Sequence, residues 1–377
     1  MIRPTLRCDL FCTVIDNYGD LGVCWRLARH LADDHAVAVT LWIDDLTSFQ
    51  RLASDIDPAQ SSQMLGNICI MHWQDGAVEA TPGDLVIEGF ACSLPPDYIL
   101  AMAARRSAPV WINLEYLTAE TWIEGCHGLA SVHPSTGLTK HFWFPGFSAG
   151  SGGLLRTADE LDRIRVANDQ PKACRQMTLF GYEQAAIASL LDALAIAPQP
   201  TVLNVFVGRA LADVSRWLGH DLISGDEITQ GKLTLRVLPL LPHADYDHLL
   251  ASSDLNLVRG EDSFVRAQWA GAPMLWHIYP QDENAHLTKL AAWQQRVETV
   301  AAAAGNPMPT SWSQTLQTWN SNMTSASMLQ PNWPQFLADL PSIRAAMQSW
   351  RQHLLAQTDL ATQLMRFYAD RVESRPK

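Results

Sequence analysis

Short apolar, β-rich runs alternate with helical stretches along this chain, stop, and then start again. In the first half the runs are CDLFCTVID (8–16), AVAVTLWID (36–44), NICIMHW (67–73), DLVIEGF (84–90) and APVWINLEY (108–116). The first leads into a helix over Leu21 to Leu31. Cys24, Leu27, Ala28 and Leu31 share one face of it, with Arg26, Arg29 and His30 outside that stripe. Strands separated by helices pair in parallel through crossovers, which leaves helices on both faces of the sheet. Residues 156–176 turn charged and polar and read as a linker. The alternation then resumes: QMTLF (176–180), a helix through Leu194, TVLNVFV (201–207), a helix from about Arg209, and KLTLRVLPLL (232–241). A helix from Asp245, DLNLVR (254–259), a helix from about Asp262 and PMLWHIY (273–279) complete it. The stretch AAAAGNPMPTSWSQT (301–315) reads as an irregular connection and the tail from Pro334 as helical. The expectation is an α/β chain of two similar units.

Bulk properties fit that division. The chain has 377 residues, 47% of them hydrophobic, enough for two cores. Its net charge is −12 with no basic patch, which argues against nucleic acid as a partner and suits a basic one. The seven cysteines form no C-x-x-C pair, as expected of reduced thiols in a cytoplasmic protein. No secretory h-region and no uninterrupted apolar run of ~18 residues is seen, so no membrane association is expected. The 14 tryptophans read as packing residues.

In open α/β sheets, ligands bind beyond the carboxyl ends of the strands. After the first strand G-x-G-x-x-G is absent, which weakens a dinucleotide-dependent dehydrogenase reading. Asp16 and Asp20 stand there instead, with Gly19 and Gly22. Two carboxylates suit a general base or a cradle for a cationic acceptor; as ordinary caps, one is easily explained and the second less so. In the second half, DLNLVRGEDSFVRAQWAG sets Arg259, Gly260, Glu261, Asp262 and Ser263 between a strand and a helix. Asp262 or Ser263 can cap that helix, whose N-terminus can hold a diphosphate, with Arg259 and Arg266 adding bidentate contacts. An ordinary capped helix with a surface Arg–Glu pair explains the same spacing. Tyr182, Arg209, His243 and Tyr246 follow other strands and could face the same ligand. Asp245 and Asp247 form a D-x-D, a pattern that holds a divalent cation in one class of sugar transferases; at a helix start, capping is favoured. Gln281, Asp282 and Glu283 are cap residues or sugar contacts, and FSAGSGGLLR (147–156) reads as a flexible connection.

Several long segments together carry a resemblance. VIDNYGDLGVCWRLARHLA, VIEGFACSLP, WINLEYLTAE, HFWFPGF, SGGLLR, TLFGYE and LVRGEDSFVRAQWAGAPMLWHIYPQDENAHLTKL lie between about residues 8 and 290. In order and spacing they resemble the bacterial protein-arginine rhamnosyltransferases that modify elongation factor P. The resemblance implies a GT-B architecture, two Rossmann-like domains facing across a cleft. The implied division is an acceptor domain over 1–158, a linker over 159–176 and a nucleotide-sugar-binding domain over 177–352, with a final helix at about 353–377 packing back on the first. It implies dTDP-β-L-rhamnose as donor, one arginine side chain of elongation factor P as acceptor, inversion at the anomeric carbon, and neither metal nor cofactor.

Carried over by position, Asp20 is the general base, Asp16 a second essential carboxylate holding the acceptor guanidinium, and Glu261 a third acidic residue beside the donor. Asn17, Tyr18 and Gly19 join the substrate-binding set, as does Arg209. Arg259, Asp262 and Ser263 match the donor loop, and Tyr182 a contact near the phosphates or ribose. Tyr246 stands where the family has a phenylalanine stacked on thymine, which keeps a π-face; His243 stands in place of a glutamine, which touches base selectivity if that contact is made by the side chain. The chemistry explains the paired aspartates. A guanidinium has a pKa of ~12.5–13.8, stays protonated and is a poor nucleophile. Carboxylates four residues apart can bind the cation, aim one nitrogen and accept its proton. The competing readings are a GT-B transferase with another nucleotide sugar or acceptor, and a non-catalytic nucleotide-sugar-binding partner of a translation factor.

Overall fold

The computed structural model describes residues 6–14, 19–73, 80–90, 92–168, 174–321 and 332–374. They form two compact units, Met1–Thr157 with Gln357–Lys377, and Ala158–Ala356. The strands are β1 (Arg7–Cys12), β2 (Ala38–Ile43), β3 (Ser62–Leu65), β4 (Ile68–His72), β5 (Leu85–Gly89), β6 (Val110–Leu114), β7 (Ala130–Val132) and β8 (Thr139–Trp143) in the first unit. The second holds β9 (Arg175–Leu179), β10 (Thr201–Phe206), β11 (Glu227–Gln230), β12 (Leu233–Leu238), β13 (Leu255–Arg259) and β14 (Met274–His277). The α-helices are α1 (Gly19–His35), α2 (Leu46–Leu52), α3 (Pro96–Ala104), α4 (Ala158–Asn168), α5 (Ala186–Ile196), α6 (Arg209–Leu218) and α7 (His243–Ser252). They continue with α8 (Asp262–Ala270), α9 (Ala285–Ala303), α10 (Thr310–Trp319), α11 (Trp333–Ala338), α12 (Leu340–Leu355) and α13 (Leu360–Glu373).

Both sheets are of the kind the alternation predicts. The first runs β3-β4-β2-β1-β5-β6-β8-β7, parallel except for β3 and β7 at its two edges. The second runs β11-β12-β10-β9-β13-β14, parallel except for the edge strand β11. The ten apolar runs of the sequence supply the strands β1, β2, β4, β5, β6, β9, β10, β12, β13 and β14. The sequence reading misses β3, β7, β8 and β11. β3 and β11 carry no buried residue, β7 is exposed throughout, and β8 is only partly buried, so none shows a continuous apolar run.

Alternation along the strands sorts the first sheet's faces. Leu10, Ile87 and Ile112 point to a core shared with Cys24, Leu27 and Leu31 of α1 and with Leu360 and Leu364 of α13. Phe11, Val86 and Trp111 point the other way, to Tyr98 and Met102 of α3. Each such side chain contributes about 1.5–3 kcal/mol through burial. Asp9 lies beneath that second face, 7% exposed, and is tolerated because three donors meet it. Tyr98 Oη and Gly83 N reach one oxygen at 2.6 Å each, and Trp42 Nε1 the other at 3.2 Å. In the second unit tryptophans do the packing. Trp293 and Trp350 both donate to Gln268 Oε1, at 3.1 and 2.7 Å, and Phe264 stacks on Trp276 at 3.7 Å.

Three local expectations change. The stretch 301–315 contains the end of α9 and the start of α10; Trp312, buried with its Nε1 donating to Met274 O at 2.9 Å, anchors α10. The polar stretch read as a linker holds α4, which buries Ile164. FSAGSGGLLR is a packed loop and not a flexible connection: Ser151, Leu154 and Leu155 are buried, and Leu154 O accepts from Leu360 N at 3.0 Å at the start of α13. Gly153 there has φ +75° and lies so near Thr358 that a Cβ would come within 2.7 Å of its carbonyl oxygen. Among the described residues no helix is long and apolar enough to cross a membrane.

Candidate active site

In the first unit the chain leaves β1 through α1 to β2 on one side, while β5 flanks β1 on the other. That divergence opens a ligand position at the carboxyl end of β1. Asp20 stands there, in the first turn of α1, where a carboxylate also complements the helix dipole. Tyr116 Oη donates to Asp20 Oδ2 at 3.2 Å. Tyr116 follows β6, is 43% exposed, and stacks on Phe90, just past β5, with ring centroids 4.7 Å apart. Three neighbouring strand ends thus converge on one carboxylate. Gly19 precedes Asp20 with open space at its Cβ position. Asp16, Asn17 and Tyr18 lie outside the described residues.

The second unit repeats the divergence around β9, with β10 on one side and β13 on the other. Arg259 ends β13, and its guanidinium lies over the rings of Phe180 at 4.7 Å and Tyr182 at 4.8 Å. Arg209, exposed at the start of α6, lies over the same Tyr182 ring at 5.8 Å. Two cations therefore flank one aromatic plate at the carboxyl end of the central strand. Tyr182 is held edge-on by His277 at 5.1 Å and Tyr279 at 5.5 Å, and its backbone N–H donates to His277 Nδ1 at 3.3 Å. Burial, with Arg259 and His286 adding, pushes the His277 pKa down to about 4. The ring is thus neutral near pH 7, with Nδ1 the acceptor.

Gly260, with φ +64°, makes the turn from β13 into α8, and its carbonyl accepts from Trp276 Nε1 at 2.8 Å. Glu261 follows, part-exposed, and its side chain does not cap α8. Asp262 turns along the helix to accept from Arg266 Nε at 2.9 Å. Ser263 is 9% exposed at the start of α8. Tyr246 is 8% exposed, edge-on to Phe206 at 5.5 Å and Phe180 at 6.2 Å, so it is part of the aromatic packing behind Arg259. Burial pushes its hydroxyl pKa up, with Ser263 opposing. His243 begins α7, and its carbonyl accepts from Arg266 Nη1 at 3.4 Å.

Arg266 is a correction to the sequence reading. It is 2% exposed, beneath α8, and bonded to Asp247 and Asp262, with Glu160 of α4 at 4.0 Å. Burial opposes its charge, but these carboxylates outweigh burial and hold the guanidinium firmly protonated. It braces α4, α7 and α8, and its guanidinium is turned to carboxylates inside the unit. Asp247 of the D-x-D is 1% exposed and also meets Arg163 Nη2 at 3.2 Å, whereas Asp245 is exposed. The D-x-D does not offer two carboxylates to one ion.

Sequence reasoning missed Tyr116, Phe180, His277 and Tyr279. The last three sit at the ends of β9 and β14, where position alone could have drawn attention to them. Tyr116 stands two residues past β6 in the same way, but its pairing with Asp20 spans 96 residues and cannot be read from spacing.

Residues 8–369 match the sequence profile of a family described as "Elongation-Factor P (EF-P) rhamnosyltransferase EarP". A protein-arginine rhamnosyltransferase of Pseudomonas putida is 43% identical, over 96% of this chain and 98% of its own. The enzyme of the same description from Pseudomonas aeruginosa is also 43% identical, over 96% and 98%. A solved structure described as the structural basis for EarP-mediated arginine glycosylation of translation elongation factor EF-P superposes with a TM-score of 0.64. It is 31% identical, over 97% of this chain and 99% of that one. MurG of Acinetobacter baumannii, at 13% identity and a TM-score of 0.52 over 97% and 100%, shares the GT-B fold alone.

Proposed function

We propose a specific reaction for this chain, which belongs to the EarP family of protein-arginine rhamnosyltransferases: inverting transfer of L-rhamnose from dTDP-β-L-rhamnose to one arginine of elongation factor P in the cytoplasm. One observation carries the reading. The strand ends of the first unit present a carboxylate, Asp20, and those of the second present guanidiniums over aromatic rings, Arg259 and Arg209. A cationic acceptor needs the first and a diphosphate leaving group the second.

In this reading Asp20, with Asp16, binds the acceptor guanidinium and turns one nitrogen toward the anomeric carbon. That nitrogen attacks C1 on the face opposite the C1–O bond to dTDP. The C1–O electron pair leaves on the β-phosphate oxygen, and the attacking nitrogen's proton passes to Asp20. Arg259 and the free N–H groups of α8 receive the charge that develops on the diphosphate. Tyr182, pinned by His277 and Tyr279, keeps Arg259 and Arg209 aimed. Glu261, at the turn between them, lies beside the sugar. Neither metal nor cofactor takes part.

The experiment is the intact mass of elongation factor P after incubation with this protein and dTDP-β-L-rhamnose, beside the same mixture with Asp20→Asn. A gain of one deoxyhexose on one arginine, lost with the variant, supports donor, acceptor and base together. No gain, with dTDP bound by the folded protein, overturns the acceptor or the sugar. Competition of dTDP against UDP then tests another donor, and binding of both substrates without turnover marks a non-catalytic partner.

A further inference from the structure

Asp20 does not stand alone at its strand end, and the group that meets it is held by an unusual piece of backbone. Phe90 has φ +55°, a left-handed conformation that bulky residues rarely adopt. Two contacts fix it there. Its N–H donates to Leu114 O at 2.7 Å, and the preceding Gly89 packs so tightly on α1 that a Cβ would come within 2.7 Å of Cys24 Sγ and 2.9 Å of Phe11 O. The result is a half-turn past β5 that lays the 4%-exposed Phe90 ring under Tyr116. Tyr116 is carried two residues past β6 by the same parallel register that sets Gly89 opposite Leu114. Its ring rests on Phe90 and its hydroxyl reaches Asp20 Oδ2.

We propose that Tyr116 is a positioning residue for Asp20: its hydroxyl holds one carboxylate oxygen so that the other faces the acceptor arginine, and Phe90 is the platform that aims it. This rests on the reading of Asp20 as the proton acceptor. The physical need is plain. An aspartate in the first turn of a helix has free backbone N–H groups within reach and can turn back to cap them. A carboxylate turned in that way is misaimed for a guanidinium. A hydroxyl held from outside the helix selects the outward rotamer. Tyr116 is 43% exposed, and a purely structural role would leave turnover unchanged. The strain at Phe90, stored beside the site and held by well-made contacts, is the kind expected of a device for aiming.

The test is steady-state kinetics of full-length Tyr116→Phe, Tyr116→Leu, Phe90→Leu and Asp20→Asn, with elongation factor P and dTDP-β-L-rhamnose as substrates and melting temperature measured for each. Tyr116→Phe keeps the stack and loses only the hydroxyl. Its kcat is expected to fall about tenfold, the scale of one hydrogen bond to a charged group, with KM for both substrates and the melting temperature unchanged. Tyr116→Leu is expected to fall further, and Phe90→Leu to lose kcat while its tyrosine hydroxyl is intact. Wild-type kcat in Tyr116→Phe, with Asp20→Asn inactive, overturns the role of Tyr116 and leaves Asp20 as the base. A rise in KM for elongation factor P at constant kcat overturns positioning in favour of simple contact with the acceptor. Activity in Asp20→Asn overturns the reading of Asp20 and this inference with it.

Discussion

The two units are built on one plan and decorated with opposite charge. Each has a central parallel strand, β1 or β9, from which the chain departs to one side while a later strand, β5 or β13, lines the other. Each therefore opens a ligand position at the same topological place. At the end of β1 stands Asp20 with Tyr116; around β9 stand Arg259 and Arg209 with Tyr182. The fold decides where a ligand can sit, and a few side chains just past the strands decide its charge. Dinucleotide-binding Rossmann domains place a glycine-rich phosphate loop after the first strand. Here the first unit has a carboxylate in that region, and the second has arginines lying over aromatic rings.

The sharpest way to break the contrast is to neutralise each side in turn. Asp20→Asn removes the proposed proton acceptor but keeps the shape of the side chain. Transfer is expected to fall by at least about a thousandfold, within the range for loss of a general base, while dTDP affinity by calorimetry stays within about twofold. A variant that still turns over assigns proton transfer elsewhere. Arg259→Gln does the reverse: kcat/KM should drop on the order of a hundredfold through loss of charge-assisted contacts to the diphosphate, with elongation factor P binding unchanged. Arg259→Lys should recover little of this, since an ammonium lacks the planar, bidentate fork that a guanidinium presents beside Phe180 and Tyr182. If lysine restores full activity, the guanidinium's shape is irrelevant.

Arg266 sharpens the contrast from inside one unit, because it is an arginine of the second unit buried among carboxylates. Arg266→Leu removes the cation that meets the buried carboxylates of Asp247 and Glu160 and the part-buried one of Asp262. About 3–5 kcal/mol of unfolding free energy should be lost, measured by urea titration, with turnover per folded molecule near wild type. A variant of normal stability that fails to bind dTDP makes Arg266 a ligand after all.

These residues also show what the sequence could and could not say. The sheets were legible because buried parallel strands are short apolar runs, and runs such as DLVIEGF and TVLNVFV can be little else. The positions of Asp20, Arg259 and Tyr182 followed from the same runs, since each lies at or just past the end of one. Sequence spacing did not show which way a side chain points. Arg259 and Arg266 look alike as letters seven apart, yet one lies over aromatic rings and the other under a helix. Nor did it show partners brought in by distant strands, as Tyr116 is to Asp20. FSAGSGGLLR misled because glycines that permit close packing look the same in sequence as glycines that permit motion.

A smaller effect separates the donor side from the rest through pH. His277 has a folded pKa of about 4 against an ordinary value near 6.5. Above pH 6.5 both folded and unfolded states hold it neutral and it contributes no pH dependence. Between pH 6.5 and about 4 the unfolded chain takes up a proton that the folded one refuses, so stability falls as pH falls, by at most about 3 kcal/mol. His277→Phe should flatten part of that loss in denaturant titrations of the free protein. A slope unchanged in the variant places the acid sensitivity at other buried histidines such as His30, which burial likewise lowers.

The smallest expected effect is none. Diphosphate-leaving sugar transfer is commonly assisted by a divalent cation held on a D-x-D, and Asp245 and Asp247 supply the letters. Their geometry withdraws the offer, since Asp247 is sealed between Arg266 and Arg163 while Asp245 points to solvent. In the proposed reaction the charge that a metal would carry is met by Arg259, Arg209 and the N-terminus of α8, fixed cations and dipoles that need no recruitment. Turnover should therefore stay within about twofold in excess EDTA, and added Mg²⁺ or Mn²⁺ should not accelerate Arg259→Gln to the wild-type rate. A loss in EDTA that Mn²⁺ restores would mean that the arginines share the diphosphate with an ion, and the second unit would then be a metal-dependent donor site on the same sheet.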